Sequence, residues 1–227
     1  AVAAVAAINS EVAEQATALI EVDYEVLPAV TDVLEAMKPD APILHERLAN
    51  STNANIRPGG LRDEDDTEKA TNISNHFVFE LGDADAGFKK ADIIVEREYR
   101  TATVHQGYIE PHTATAMWGE DGKLTVWASS QGHFQIRDLT SLVLGIPVSQ
   151  IKIVPMEIGG GFGGKTVIYL EPVVAALSKK ARRPVKISMG RSEVFEATGP
   201  TSGSSMRVKI CLLSTSDADD DMQCVVL

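Results

Sequence analysis

Hydrophobic and polar positions alternate in two different periods along this chain, and the change of period marks its elements. Val12, Ala16, Leu19 and Ile20 recur at helical spacing. Asn9 and Ser10 stand ahead of them as capping residues, and Glu11 and Glu14 fall in the first turn, where acids suit the helix dipole. Ile20, Val22, Tyr24 and Val26 then alternate with Glu21, Asp23 and Glu25, which predicts a strand with one buried face, stopped by Pro28. A short helix is expected around Asp32–Met37. From Pro39 to Asn75 the periodicity fades among Pro39, Pro42, Pro58, Gly59, Gly60 and the acidic run Arg62–Glu68, as in a long exposed connection.

Strand patterns return at His76–Leu81, Asp92–Tyr99, Thr113–Trp118 and Leu124–Ser129, with Asp121-Gly122 as a hairpin turn between the last two. Ile136, Leu139 and Val143 place a helix over His133–Leu144, ended by Gly145 and followed by Pro147. Ile151–Pro155 reads as a strand. Leu170–Ala181 reads as a helix with Pro172 at its start and Lys179 and Lys180 at its end. Val185–Met189 is a further strand. Hairpins mixed with helices indicate an α+β class rather than a purely parallel sheet.

Composition narrows the function classes. The 227 residues are 44% hydrophobic and carry 21 Lys+Arg against 32 Asp+Glu, for a net charge of −11. No apolar run approaches the roughly 18–20 residues of a membrane span. No basic cluster offers a footprint for nucleic acid. A soluble, cytoplasmic protein is the expectation. Two cysteines exclude a disulfide scaffold, and both, Cys211 and Cys224, lie in residues 211–227 with Asp217, Asp219, Asp220 and Asp221. That segment resembles the translation of a sequencing-library adapter, so 211–227 is set apart as a non-native tail.

The most informative stretch is Ile158–Thr166, IGGGFGGKT, between a strand and a helix. Five glycines around one Phe free the backbone to gather several N–H groups at one point, a disposition that binds anions. Gly159, Gly164, Lys165 and Thr166 satisfy the P-loop pattern, and Gly159, Gly161 and Gly164 satisfy G-x-G-x-x-G. The context fits neither. Val185–Met189 ends in Gly190-Arg191 rather than an Mg²⁺-binding Asp, and about 20 residues after the loop the chain reads Lys-Lys-Ala-Arg instead of an acid. A nucleotide site on Gly159–Thr166 and a non-catalytic binding module are retained as alternatives.

Residues 124–207 resemble the molybdenum-cofactor-binding large subunit of the xanthine dehydrogenase, aldehyde oxidase and aerobic carbon monoxide dehydrogenase family. The resemblance is carried by SSQGHFQIR (Ser129–Arg137), LGIPVSQIKIVPMEIGGGFGGK (Leu144–Lys165), EPVVAALSKKARRPVKISMGRSEVF (Glu171–Phe195) and ATGPTSG (Ala197–Gly203), and VEREYRTATVHQGYIEPH (Val95–His112) extends it. It implies the end of a small α/β hammerhead-like domain over 1–38, a linker over 39–75, and the first part of the molybdopterin-binding domain over 76–210. By this resemblance Gln131 hydrogen-bonds an oxygen ligand of molybdenum without coordinating the metal. Gly160, Gly161, Phe162 and Gly163 meet the pterin, and Phe162 also shapes the substrate entrance. Thr166 stands where xanthine-type enzymes carry a substrate-binding Glu, which counts against a purine held by that carboxylate. From the residues alone, Gln131 can equally cap the helix at His133, and Phe162 can simply anchor the loop.

His105 and His112 are read as packing or surface histidines and His133 as a neighbour of the cofactor cavity. Glu110 is read as structural, and Lys165 as a phosphate partner or a solvated cation. The implied activity is hydroxylation of an aldehyde, N-heterocycle or similar small molecule with water as the oxygen source. The implied cofactor is molybdenum–molybdopterin, with a cytosine dinucleotide as one of its forms. [2Fe–2S] clusters and FAD would sit on partner subunits or fused domains, in a homodimer or a dimer of heterotrimers. The family's G-V-G-E base motif and R-G-F-G loop are missing from the sequence, so it is expected to be an internal segment, inactive alone.

Overall fold

The computed structural model describes residues 2–45, 71–74, 78–79, 81–212 and 225–226. Their backbone contacts divide the chain into two units, residues 1–24 with 103–202 and residues 25–102 with 203–227.

The first unit holds the candidate site. It opens with α1 (Ser10–Thr17), where the Asn9 side chain accepts the Val12 N–H at 2.9 Å. Its sheet is formed by β2 (Thr113–Trp118), β3 (Leu124–Ala128), β4 (Ile151–Pro155) and β5 (Val185–Ser188), in the order β4-β3-β2-β5. The β2–β3 hairpin and the β2–β5 pair are antiparallel, whereas β3 and β4 run parallel. A parallel pair requires a crossover, and α4 (His133–Leu144) supplies it. Helix α5 (Glu171–Ala181) follows β4, and α6 (Arg191–Ala197) follows β5.

Alternation along β2 and β3 turns Ala114, Ala116, Leu124, Val126 and Ala128 into the core, against Val174 and Ala175 of α5. The alanines of β2 let α5 lie close to the sheet, and the Trp118 indole N–H donates to the Ala175 carbonyl at 2.8 Å.

The second unit contains α2 (Val33–Ala36), α3 (Ala84–Lys90) and a long antiparallel ribbon of β1 (Ile93–Thr101) with β6 (Ser204–Leu212). β7 (Val225–Val226) pairs with Lys209 and Ile210 of β6. Cys211 is buried opposite Ile94. Asn72 binds the Leu44 N–H and the carbonyls of Ala36 and Pro42, which ties together the described ends of the Pro39–Asn75 segment.

Elements from Thr113 to Met189 match their expected spans within a residue or two. The strand expected over Ile20–Val26 does not form. Val26 is 91% exposed, and no described strand pairs with this segment, so its alternation lacks the backbone partner a strand requires. Residues 2–38 hold α1 and α2 and no strand. Of the strand expected over 76–81, Val78, Phe79 and Leu81 are described and belong to no strand, and the rest lies outside the described residues. So do 46–70, 213–224 and 227.

Candidate functional site

Because β3 and β4 are parallel neighbours, the connections leaving their carboxyl ends emerge side by side. One is Ser129–Gly132, leading into α4. The other is the glycine loop, Gly159–Lys165. Carboxyl ends of parallel strands are where open α/β sheets place ligands.

The two connections are laced together at Lys165. Its carbonyl accepts the Gln131 N–H at 2.9 Å and the Ser130 hydroxyl at 3.1 Å. Its own N–H donates to Gln131 Oε1 at 3.2 Å, and the Gly163 N–H donates to the same oxygen at 3.1 Å. With Oε1 engaged twice, the carboxamide is oriented, and its Nε2 is left without a partner among the described residues. Gln131 is therefore not the cap of α4, whose N-cap is Gly132 without a side-chain bond.

Close approach matters at several loop glycines, Gly159 and Gly161 among them. A Cβ at Gly161 would lie 2.4 Å from Gln131 Oε1, and one at Gly159 would lie 2.6 Å from Glu110 Cβ. Phe162 stands at the apex of the loop with φ 48 and a side chain 75% exposed. A positive φ in a bulky residue costs about 1–3 kcal/mol, and here it accompanies an aromatic ring presented outward rather than anchored in the core. The Thr166 hydroxyl turns back and donates to the Gly163 carbonyl at 2.9 Å.

Lys165 corrects both sequence expectations made for it. Its side chain is 0% exposed, and Nζ lies 2.7 Å from Glu110 Oε2 and 5.0 Å from the Tyr108 ring centroid. It is neither solvated nor available to a phosphate. Burial pushes the Glu110 carboxyl up, but the Lys165 ammonium and the Gly159 N–H outweigh it, and the group stays below its ordinary range.

A buried polar cluster supports the segment that carries Glu110. The Gly107 N–H donates to His105 Nδ1 at 3.0 Å, so His105 Nε2–H donates to Thr198 Oγ1 at 2.8 Å. The Thr198 hydroxyl donates to the Val194 carbonyl. The Tyr108 hydroxyl can then donate to His112 Nε2 at 2.7 Å. Burial and the nearby Lys165 charge lower the His112 pKa to about 4, so its ring is neutral at pH 7. Arg191, at the start of α6, holds the carbonyls of Tyr108 and Ile109 at 2.8 and 2.5 Å.

The P-loop alternative is not favoured. Such a loop feeds straight into a helix N-terminus with its lysine pointing at phosphate, whereas here α5 begins only at Glu171 and Lys165 points into the core. His133 follows Gln131 by two residues at the start of α4, and its Nε2 is buried without a hydrogen-bond partner among the described residues.

The site thus belongs to a mixed α/β domain that presents an oriented amide and a glycine-rich backbone together at the edge of its sheet, a disposition suited to an organic cofactor. Comparison with known proteins makes the class definite. The model of the molybdopterin cofactor-binding domain matches residues 65–216. The probable hypoxanthine oxidase XdhD of Escherichia coli K12 is 32% identical over 230 residues, covering 92% of this chain and 23% of that protein. The carbon monoxide dehydrogenase large chain of Afipia carboxidovorans is 34% identical over 203 residues, covering 87% of this chain and 24% of that one. The solved aldehyde oxidoreductase of Desulfovibrio gigas superposes with a TM-score of 0.72 at 26% identity, over 89% of this chain and 20% of that one. The chain belongs to the molybdopterin cofactor-binding domain family. It spans about a quarter of the length of these two curated relatives.

Proposed function

We propose that this chain is a segment of the large subunit of a molybdenum hydroxylase, and that Gln131 and the glycine loop form one wall of its cofactor site. The observation that carries the reading is the Gln131 carboxamide: its oxygen is held by two loop N–H groups and its Nε2 is left unpartnered among the described residues. An uncharged donor fixed in this way suits an oxygen of the molybdenum cofactor, because it orients without displacing a ligand. The donor set and shape fit the group. A Cβ at Gly161 would fill the place the amide occupies, so the loop is shaped to hold that amide.

When bound, the molybdenum cofactor supplies hydroxylation chemistry with water as the oxygen source. Gln131 then orients the cofactor. Gly160, Gly161, Phe162 and Gly163 would meet the pterin, and Phe162 would border the entrance for substrate. Thr166 supplies a hydroxyl where a purine-binding carboxylate would stand, which favours an aldehyde or a neutral N-heterocycle as substrate. Glu110 is engaged by Gly159 and Lys165 and is not free to act as a base, and the base that would take the proton from the attacking water-derived oxygen comes from outside these residues. Electron carriers, [2Fe–2S] clusters and FAD, reside on partner subunits or fused domains; the name of the carbon monoxide dehydrogenase large chain itself implies companion chains.

The test is elemental and pterin analysis of the full-length subunit, purified from a host that makes the cofactor. Near-stoichiometric molybdenum and pterin in the wild type, and their loss in Gln131→Ala, are expected. Binding of ATP or GTP that disappears in Lys165→Ala, with no molybdenum retained, would overturn the reading. So would hydroxylase turnover by residues 1–227 alone, because the base is then within them.

A further inference from the structure

The glycine loop begins and ends on one carboxylate oxygen. Glu110 Oε2 accepts the Gly159 N–H at 2.6 Å and the Lys165 ammonium at 2.7 Å, which fixes the distance between the two ends of the loop. Lys165 is held from both sides: its side chain reaches Glu110, and its main chain exchanges hydrogen bonds with Gln131. A displacement of the Lys165 side chain would therefore move one of the two N–H groups that orient the Gln131 amide. Apolar packing could fill the same volume, but it is non-directional and would not hold that N–H on line. With Lys165 buried and Glu110 half-buried, the ion pair is also a poor source of net stability compared with apolar side chains of similar size. What it provides here is direction.

We propose that Glu110 and Lys165 are positioning residues, and that their ion pair sets the orientation of the Gln131 carboxamide and so the direction in which Nε2 donates. The proposal deepens the cofactor reading above and rests on it for its functional meaning, although the positioning itself is a property of the chain without cofactor.

The experiment is solution NMR of the 227-residue chain labelled with ¹⁵N at Gln and Trp. The Gln131 side-chain amide is assigned by its loss in Gln131→Ala. The Trp118 indole N–H, which donates from β2 to Ala175 of α5, reports whether the fold is intact. In Glu110→Gln, the Gln131 amide pair should shift to the position of a free carboxamide while the Trp118 resonance stays in place. Glu110→Gln combined with Lys165→Met leaves no unpaired buried charge, so it keeps the fold available for the test even if the single variant unfolds. There too Gln131 should shift and Trp118 should not. The proposal is overturned if Gln131 stays in place in the double variant with Trp118 unmoved. It is equally overturned if Gln131 shifts only when Trp118 shifts as well, since the pair then merely supports the fold. Molybdenum content of the full-length subunit is read separately. Its absence from the wild type would defeat the cofactor reading and leave the NMR result on positioning intact.

Discussion

Replacing Gly161 with Ala separates the stability of this domain from the integrity of its site. The added Cβ would lie 2.4 Å from Gln131 Oε1, 2.6 Å from Cδ and 3.1 Å from Cγ. All three atoms belong to one flexible side chain, so the carboxamide can leave and the backbone need not move. Leaving forfeits the two N–H bonds from Gly163 and Lys165, at about 0.5–1 kcal/mol each near the surface. Gly161 is not among the glycines with positive φ, so Ala is tolerated by the backbone and returns about 0.4–1 kcal/mol through the unfolded chain. The net loss is about 1 kcal/mol or less, a fall of about 2–4 °C in melting temperature for a domain of this size. The amide itself, however, is displaced entirely. Thermal melting of the variant together with molybdenum and pterin content of the full-length subunit checks both halves. Gly161→Ala should melt within a few degrees of the wild type and lose most of its cofactor. Full cofactor retention, or a melting temperature lower by about 10 °C or more, would refute the reasoning.

Gly159→Ala should behave oppositely to Gly161→Ala. Its Cβ would meet Glu110 Cβ at 2.6 Å, an atom next to the backbone that cannot swing away, so stability should fall by about 1–3 kcal/mol in chemical denaturation. His112 makes stability depend on pH. Its folded pKa of about 4 lies below the unfolded value of 6.5, so its contribution is complete above about pH 6.5 and is lost as pH falls toward 4. The loss approaches ~3 kcal/mol at 1.36 kcal/mol per pH unit. It should be visible as a drop in urea midpoint that His112→Gln, which still accepts the Tyr108 hydroxyl, does not show. Glu171 has the reverse sign. Burial raises its pKa, so stability present at low pH is lost as pH rises through the folded value, and Glu171→Gln should melt no lower than the wild type at about pH 8.

The sheet and its two covering helices were legible because local signals agreed with tertiary packing. Asp121-Gly122 turns the hairpin, and Gly145, with φ 64, ends α4. Val126 and Ala128 point inward at the period the pattern required. Ile20–Val26 failed by the same logic: alternation describes one face of a strand, whereas a strand also needs an edge to pair with, and none is described beside it. β6 went unread for a related reason. Met206, Val208, Ile210 and Leu212 do alternate with Arg207 and Lys209, but the strand pairs with β1 across roughly a hundred positions of sequence and runs into the segment set apart as a tail.

The site divides along the same line between local and distant information. That the glycine loop and Gln131 meet could be anticipated, because residue type and family resemblance both pointed to them. The meaning of Lys165 could not be, because it depends on Glu110, 55 residues earlier. A Gly-rich run ending in Lys-Thr reads as a phosphate cradle only while the lysine is free. Once the 103–112 segment brings a carboxylate beneath the loop, the ammonium is drawn into the core, and the same residues become a frame for an amide. One signal was available in advance: a Glu set between Ile109 and Pro111 in Tyr-Ile-Glu-Pro-His demands a cation wherever the fold takes it out of water. The lysine that answers that demand is the one the nucleotide pattern would assign to phosphate. It cannot serve both, and its choice of Glu110 is what leaves Gln131 held by the loop.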